Sequence, residues 1–87
     1  MKLMVVWDSS PETRDTSLAR FKETGGAPPA GVKMLGRWHD VGGGGGFVLA
    51  ETDDLVAVSR WVLGWSDVLS FQVVPVIDDE EFIRSLS

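Results

Sequence analysis

The chain contains no cysteine. This absence excludes disulfides, thiol catalysis and thiolate metal sites, and it agrees with a reducing cytoplasm. No uninterrupted apolar stretch approaches the roughly 20 residues that cross a bilayer, and the apolar run at the start ends at Asp8, which is too short for a signal peptide. We therefore expect a soluble, cytoplasmic protein without a membrane partner.

Basic residues and histidine are also scarce. Eight Lys and Arg stand against thirteen Asp and Glu, for a formal net charge of -5 and a pI near 4.6. Such a field repels phosphate backbones, so nucleic acid is not an expected partner. With a single histidine and no cysteine, a protein-built metal site, which needs three or four ligands, is not expected either. We expect no cofactor, although one axial histidine leaves haem open.

The length of 87 residues and the apolar fraction of 44% predict a single domain, residues 1–87, with one small core. A chain of this size buries a small share of its surface, so oligomerisation is a common way to gain apolar contact.

The most informative stretch runs from Val32 to Glu51. Two strand-like runs flank five consecutive glycines, Gly42–Gly46, which predicts a β-hairpin with a flexible glycine tip. A phosphate cradle is the alternative, but such loops join a strand to a helix, whereas this one joins two strands. By the two-residue period of a strand, one face of the first arm carries Val32, Met34, Gly36 and Trp38, and the other carries Lys33, Leu35, Arg37 and His39.

The segments before the hairpin read as a strand and a helix. Lys2 to Asp8 is apolar in succession, which indicates a strand buried on both faces. Ser9 or Ser10 is expected to cap a helix with Pro11 in its first turn, and Gly25–Gly26 to end it.

The segments after the hairpin repeat that order. Thr52 or Asp53 is expected to cap a second helix, which breaks at Gly64 or continues to about Asp67. Ser70 to Ile77 is a strand that Pro75 places at a sheet edge or bulge. A short terminal helix follows the acidic run, and its apolar residues are expected to dock: they are Phe82, Ile83 and Leu86.

The predicted order of strand, helix, strand, strand, helix and strand is that of the ferredoxin-like α+β sandwich, with a four-stranded antiparallel sheet. Two helices cover one face of such a sheet. Because the first and last strands look apolar on both faces, we expect the open face to meet a second copy, which gives a homodimer.

Three segments carry a resemblance to a known family: Gly26–Asp40, Gly45–Asp54 and Val73–Glu81. Their most specific parts are Gly36–His39 and Glu51–Asp54. The chain resembles the domain-of-unknown-function family 3303, which looks like a branch of the dimeric α+β barrel superfamily. That resemblance implies a dimeric barrel, but its members range from small monooxygenases and isomerase-like enzymes to binding modules, so it assigns no reaction.

His39 and Arg37 are the candidate catalytic residues. Histidine is the one side chain that ordinarily titrates near neutral pH, so His39 could act as a general base or a ligand donor. The alternative is a structural histidine at a strand end. Arg37 shares its face and could grip a carboxylate or enolate, or else form a salt bridge across a dimer.

The candidate ligand-binding residues are the four tryptophans and one carboxylate. Tryptophans on the second helix could wall an aromatic cleft with polar anchors around it, or else serve the core and the dimer interface. These residues are Trp7, Trp38, Trp61, Trp65 and Glu51.

Three functions remain open from the sequence. The first is a small-molecule binding or regulatory module. The second is a cofactor-independent, monooxygenase- or isomerase-like enzyme that acts on an aromatic or enolisable molecule. The third is a structural protein without a ligand.

Overall fold

The computed structural model describes every residue from Met1 to Ser87. Its strands are β1 (Lys2–Asp8), β2 (Val32–His39), β3 (Gly45–Thr52) and β4 (Ser70–Val76), and its helices are α1 (Arg14–Thr24), α2 (Leu55–Leu63) and α3 (Asp79–Ser85). The strands form one sheet in the order β2-β3-β1-β4, and all neighbours are antiparallel. This arrangement confirms the predicted α+β class and fits a ferredoxin-like topology. None of the helices is long and apolar enough to cross a lipid bilayer.

The core lies between one face of the sheet and α2. Alternate residues of β1 and β3 point to this face because the side chains of a strand alternate. Each fully buried aliphatic side chain contributes about 1.5–3 kcal/mol. The buried cluster consists of Leu3, Val5, Val32, Val48, Ala50, Ala57 and Val58.

A β-bulge interrupts β2 at Leu35. Met34 pairs with Ala50 and Gly36 with Leu49, so the pairing with β3 shifts by one residue between them. The extra residue resets the two-residue period, which corrects the strict alternation expected from the sequence. Val32 and Met34 therefore share the helix-covered face with Arg37 and His39, and Trp38 lies on the opposite face.

The hairpin tip lies two residues earlier in the chain than the run of five glycines predicted. Gly45 and Gly46 belong to β3, and the turn consists of residues 40–44. Position 46 has no room for a side chain, because a Cβ on Gly46 would lie 2.4 Å from both the Trp38 carbonyl oxygen and the Trp7 ring.

Both main helices begin later than the sequence predicted. Regular α1 starts at Arg14 with Thr13 as its cap residue, because Ser10 forms a separate turn in which its carbonyl accepts from the N–H groups of Thr13 and Arg14. The predicted end is confirmed, since Gly25 adopts the left-handed conformation with φ 73°.

The cap of α2 is Asp54, whose carboxylate accepts from the Ala57 N–H at 3.1 Å. Thr52, one of the two predicted caps, is still in β3, and its hydroxyl donates to the Gly31 carbonyl. The helix ends at Leu63, before Gly64. The edge position expected of Pro75 is confirmed, because β4 is the outer strand beside β1.

Helix α3 projects from the sheet. Asp78 and Glu81 form a capping box, and Asp78 also pairs with Lys2 at 3.5 Å. The helix has no buried residue, so the predicted docking of Phe82 and Ile83 does not occur within one chain.

The face of the sheet opposite the helices, here named the open face, is apolar and uncovered. Trp38 is 57% exposed and Phe47 is 44% exposed. The Trp38 ring lies flat over Gly36, where a Cβ would come within 2.5 Å of it. By register, the open face carries the apolar residues Met4, Val6, Trp38, Phe47, Leu49 and Val74 and the polar residues Lys2, Lys33, Glu51 and Gln72.

Candidate functional site

A cleft lies between the helix-covered face of the sheet, α1 and α2. Its cavity volume is about 70 Å³, which is room for on the order of five water molecules. A ligand of about one ring is therefore the size that fits without opening the cleft. Its aromatic wall consists of Trp7, Phe21, Trp61, Trp65 and Phe71.

The register of the sheet builds one side of this wall. Trp7 pairs with Gly46 on one side and with Phe71 on the other, and Gly46 pairs with His39. These residues form one row across four strands and point to the same face. Because Gly46 has no side chain, Trp7 and His39 approach each other across it, with ring centroids 5.6 Å apart.

His39 contacts two aromatic rings edge-on. Its centroid lies 5.6 Å from that of Trp7 at 77° and 5.0 Å from that of Phe21 at 67°, which are favourable geometries for ring pairs. Neither imidazole nitrogen is hydrogen-bonded within the chain, and the residue is exposed. Its nitrogens can therefore donate to or accept from a ligand at the cleft.

Arg37 caps the end of α1. Its Nη1 donates to the Gly26 carbonyl at 3.0 Å and its Nη2 to the Gly25 carbonyl at 3.1 Å. Its Cζ lies 4.7 Å from the centroid of Phe21. A cation at a helix C-terminus is favourable because the last carbonyls carry partial negative charge. Two of the five N–H donors of Arg37 thus serve the fold.

An ion pair connects α1 to the segment after α2. The Arg20 guanidinium donates two hydrogen bonds to Asp67, at 2.9 and 2.7 Å, and its Cζ lies 5.2 Å from the Trp65 ring. The hydrogen bonds from Arg20 hold the pKa of Asp67 below its usual range. This bidentate contact fixes Trp65 at one end of the cleft.

The hairpin tip closes the other end. The Gly44 carbonyl accepts from the N–H and the hydroxyl of Ser9, both bonds measuring 2.8–2.9 Å, and the Gly42 carbonyl accepts from Arg14 on α1. Gly43, Gly44 and Gly45 line the cleft as a result.

Five of the seven site residues expected from the sequence meet at this cleft: Trp7, Arg37, His39, Trp61 and Trp65. The structure does not bring the other two to it. Trp38 lies on the open face, and Glu51 is exposed beside Met1 and Gly31.

Sequence reasoning missed Phe21 and Phe71 as lining residues. The helical spacing of Leu18 and Phe21 indicated one shared face, and this was a usable signal for Phe21. Phe71 had none, because it enters the cleft through its pairing with Trp7, and strand order is not visible in a local pattern.

The side chains bring no three potential metal ligands together. What the fold and the cleft define is an α+β protein of ferredoxin-like topology, with an aromatic cleft on the helix-covered face of its sheet.

Comparison with known families agrees with that class. The family model described as Domain of unknown function (DUF3303) matches residues 1–87, and the chain belongs to this family. The predicted family is thereby confirmed, while its placement in the dimeric α+β barrel superfamily stays a prediction. No curated protein and no solved structure matches the chain.

Proposed function

We propose that the chain is a small-molecule binding module that holds a flat, largely apolar ligand in the aromatic cleft. One observation carries the proposal: five aromatic side chains and an imidazole without a hydrogen-bond partner surround a single cavity. Clefts of this kind, apolar with a few polar anchors, are typical of ligand sites.

Binding is favoured over catalysis by the surroundings of His39. No carboxylate forms a hydrogen bond with the imidazole that would orient it as a general base, and its contacts within the chain are with the rings of Trp7 and Phe21. A binding module needs only the cleft and its polar anchors.

The first test is native mass spectrometry of freshly purified protein. A retained molecule would identify the ligand class, and we expect one with a single aromatic ring because of the cavity volume. A structural protein, the remaining alternative, would carry none.

A fluorescence titration tests the cleft directly. Three of the four tryptophans line the cleft and Trp38 does not. In Trp38→Phe, all of the tryptophan fluorescence therefore comes from residues that line the cleft. The emission of this variant should change on addition of a single-ring ligand and should reach saturation. Trp61→Ala should weaken that binding. Val56→Ala, on the exposed side of α2, is the matched control. A linear, unsaturable response to every ring tested would contradict the binding function.

The free imidazole also supports a second candidate, a cofactor-independent enzyme in which His39 is the base and Arg37 holds an anionic intermediate. The substrate would be aromatic or enolisable. A screen that compares wild type with His39→Gln and Arg37→Met, with activity followed against pH, decides it. Turnover that persists unchanged in His39→Gln would exclude the role of His39 as base.

For the assembly, we propose a homodimer closed through the open face, as in a dimeric α+β barrel. Its support is the uncovered apolar surface around Trp38 and Phe47, since large exposed apolar patches mark interaction sites. Helix α3 also exposes apolar residues, namely Phe82 and Ile83.

A further inference from the structure

The charges around the cleft differ from those of the whole chain. Thirteen Asp and Glu outnumber eight Lys and Arg, yet no carboxylate is among the side chains that line the cleft. Its two ionisable lining residues are Arg37 and His39. A cleft without acids, in a protein rich in acids, favours an anionic ligand over a cationic one.

The charge of Arg37 is not compensated by an acid. Its hydrogen-bond partners are the neutral carbonyls of Gly25 and Gly26, and the ion pairs of the chain involve Lys2 and Arg20 instead. The C-terminal end of α1 carries a negative partial charge of about half an elementary charge at most, which neutralises only part of the charge of Arg37. A net positive charge therefore remains, half-buried, where solvent screens it less than at the surface.

Arg37 also keeps donors for a ligand. A guanidinium carries five N–H groups, and only its two bonds to the α1 carbonyls occupy them. Arg37 and His39 both contact the Phe21 ring, one by its guanidinium and the other by the edge of its imidazole. Two polar anchors thus converge beside one part of the aromatic wall.

Two acidic residues are neighbours in sequence of residues that line the cleft. Asp8 follows Trp7 in β1, so its side chain points to the opposite face of the sheet, and Asp40 follows His39 at the start of the turn. Both residues are exposed, and water and salt screen exposed charges strongly, so these two acids weaken the positive field of the cleft only a little.

Resting on the binding function proposed above, we infer that the ligand is a small aromatic monoanion. Its ring lies against Trp7, Phe21 and Trp61, and its carboxylate or phenolate accepts charge-assisted hydrogen bonds from Arg37 and His39. Charge-assisted bonds of this kind are about twice as strong as neutral ones, which gives the site its selectivity.

Three probes of one ring size test the inference: benzoate, benzyl alcohol and benzylamine, which are negative, neutral and positive at pH 7. Their affinities are measured by the emission of the Trp38→Phe protein. We expect benzoate to bind at least about tenfold more tightly than benzyl alcohol, which corresponds to about 1.4 kcal/mol, and benzylamine to bind most weakly. Added salt should weaken benzoate binding and leave benzyl alcohol binding unchanged.

Substitution of Arg37 is the second arm. In Arg37→Met the ratio of benzoate to benzyl alcohol affinity should fall from about ten to about one, and Arg37→Lys should keep part of it because lysine retains the charge. Arg60→Met removes an exposed cation of α2 that does not line the cleft, and it should keep the full ratio. Circular dichroism shows whether each variant folds. The order of the three probes on the Trp38→Phe protein, with Arg37 intact, decides the question even where Arg37→Met does not fold.

The outcomes separate the two proposals. If benzyl alcohol binds and benzoate binds no better, or benzylamine binds best, the anion inference is overturned while the binding function stands. If Arg37→Met keeps the preference for benzoate, the assignment to Arg37 is overturned. If none of the three probes binds, the binding function fails and the inference fails with it.

Discussion

At the scale of single residues, Gly46 determines whether the cleft exists. It lies between Trp7 and His39 in neighbouring strands, and its missing side chain leaves the space in which their rings meet. Gly44, two residues earlier, faces open space. The two glycines therefore have different roles although they belong to one run.

Gly46→Ala should lower the free energy of unfolding by about 3 kcal/mol, because the new Cβ overlaps backbone and ring atoms that cannot both move. Gly44→Ala has no such overlap and a φ that alanine adopts freely, so stability should stay the same or rise by up to about 1 kcal/mol. Urea denaturation of both variants measures this difference. Equal stabilities would contradict the close packing described at Gly46.

His39→Gln should change the free energy of unfolding by about 1 kcal/mol or less, because the imidazole makes no hydrogen bond within the chain whose loss would leave a buried group unpaired. Its two edge contacts with rings are the only interactions lost. Benzoate affinity should fall in the same variant, as measured by fluorescence titration. A loss of several kcal/mol with unchanged affinity would assign His39 to the structural role instead.

At the scale of elements, α3 depends on its cap more than on packing. The helix buries no residue, and a helix this short is marginal in water without tertiary contacts. The Asp78 carboxylate accepts from the Glu81 N–H at 2.9 Å, and the Asp78 N–H donates to the Glu81 carboxylate.

This cap predicts a loss of α3 in acid. The hydrogen bond from the Glu81 N–H, and then the charge of Lys2, hold the pKa of Asp78 below its ordinary value. A lowered folded-state pKa means that the stabilisation is fully present above the unfolded value, about 3.9, and is lost as pH falls through the lower folded value. The amide shift of Glu81 in NMR spectra should follow this titration.

Asp78→Asn should remove that pH dependence while Asp79→Asn, one residue further along, should keep it. An amide shift at Glu81 that titrates equally in both variants would show that Asp78 does not cap the helix.

At the scale of the whole molecule, the open face predicts the assembly. Phe47 pairs with Val6 and Trp38 in the middle of this face, so a charge there should be buried against the second copy at high cost. Phe47→Asp should give a monomer at concentrations where the wild type is a dimer, as measured by light scattering at micromolar protein.

Val56→Asp is the matched control, because Val56 is equally apolar and exposed but lies on α2, and it should remain dimeric. A wild-type chain that is a stable, folded monomer across a wide dilution series would refute the dimer.

The sequence alone determined what depends on local pattern. The α+β class, the strand β1 and the end of α1 followed from runs of apolar residues, from Gly25 and Gly26 and from the order of the elements. These signals sufficed because each of them acts over a few residues. The two-residue period also placed Arg37 and His39 on one face.

Only the tertiary structure decided the rest. The bulge at Leu35 depends on how β2 pairs with β3. The entry of Gly45 and Gly46 into β3 and the pairing of Trp7 with Phe71 depend on strands that are distant in sequence. Pairing between distant strands is set by packing and register over the whole sheet, which no local window contains. That is the physical reason why the sequence could propose Trp7, Trp61 and His39 one by one, while only the folded sheet brings them to one cleft.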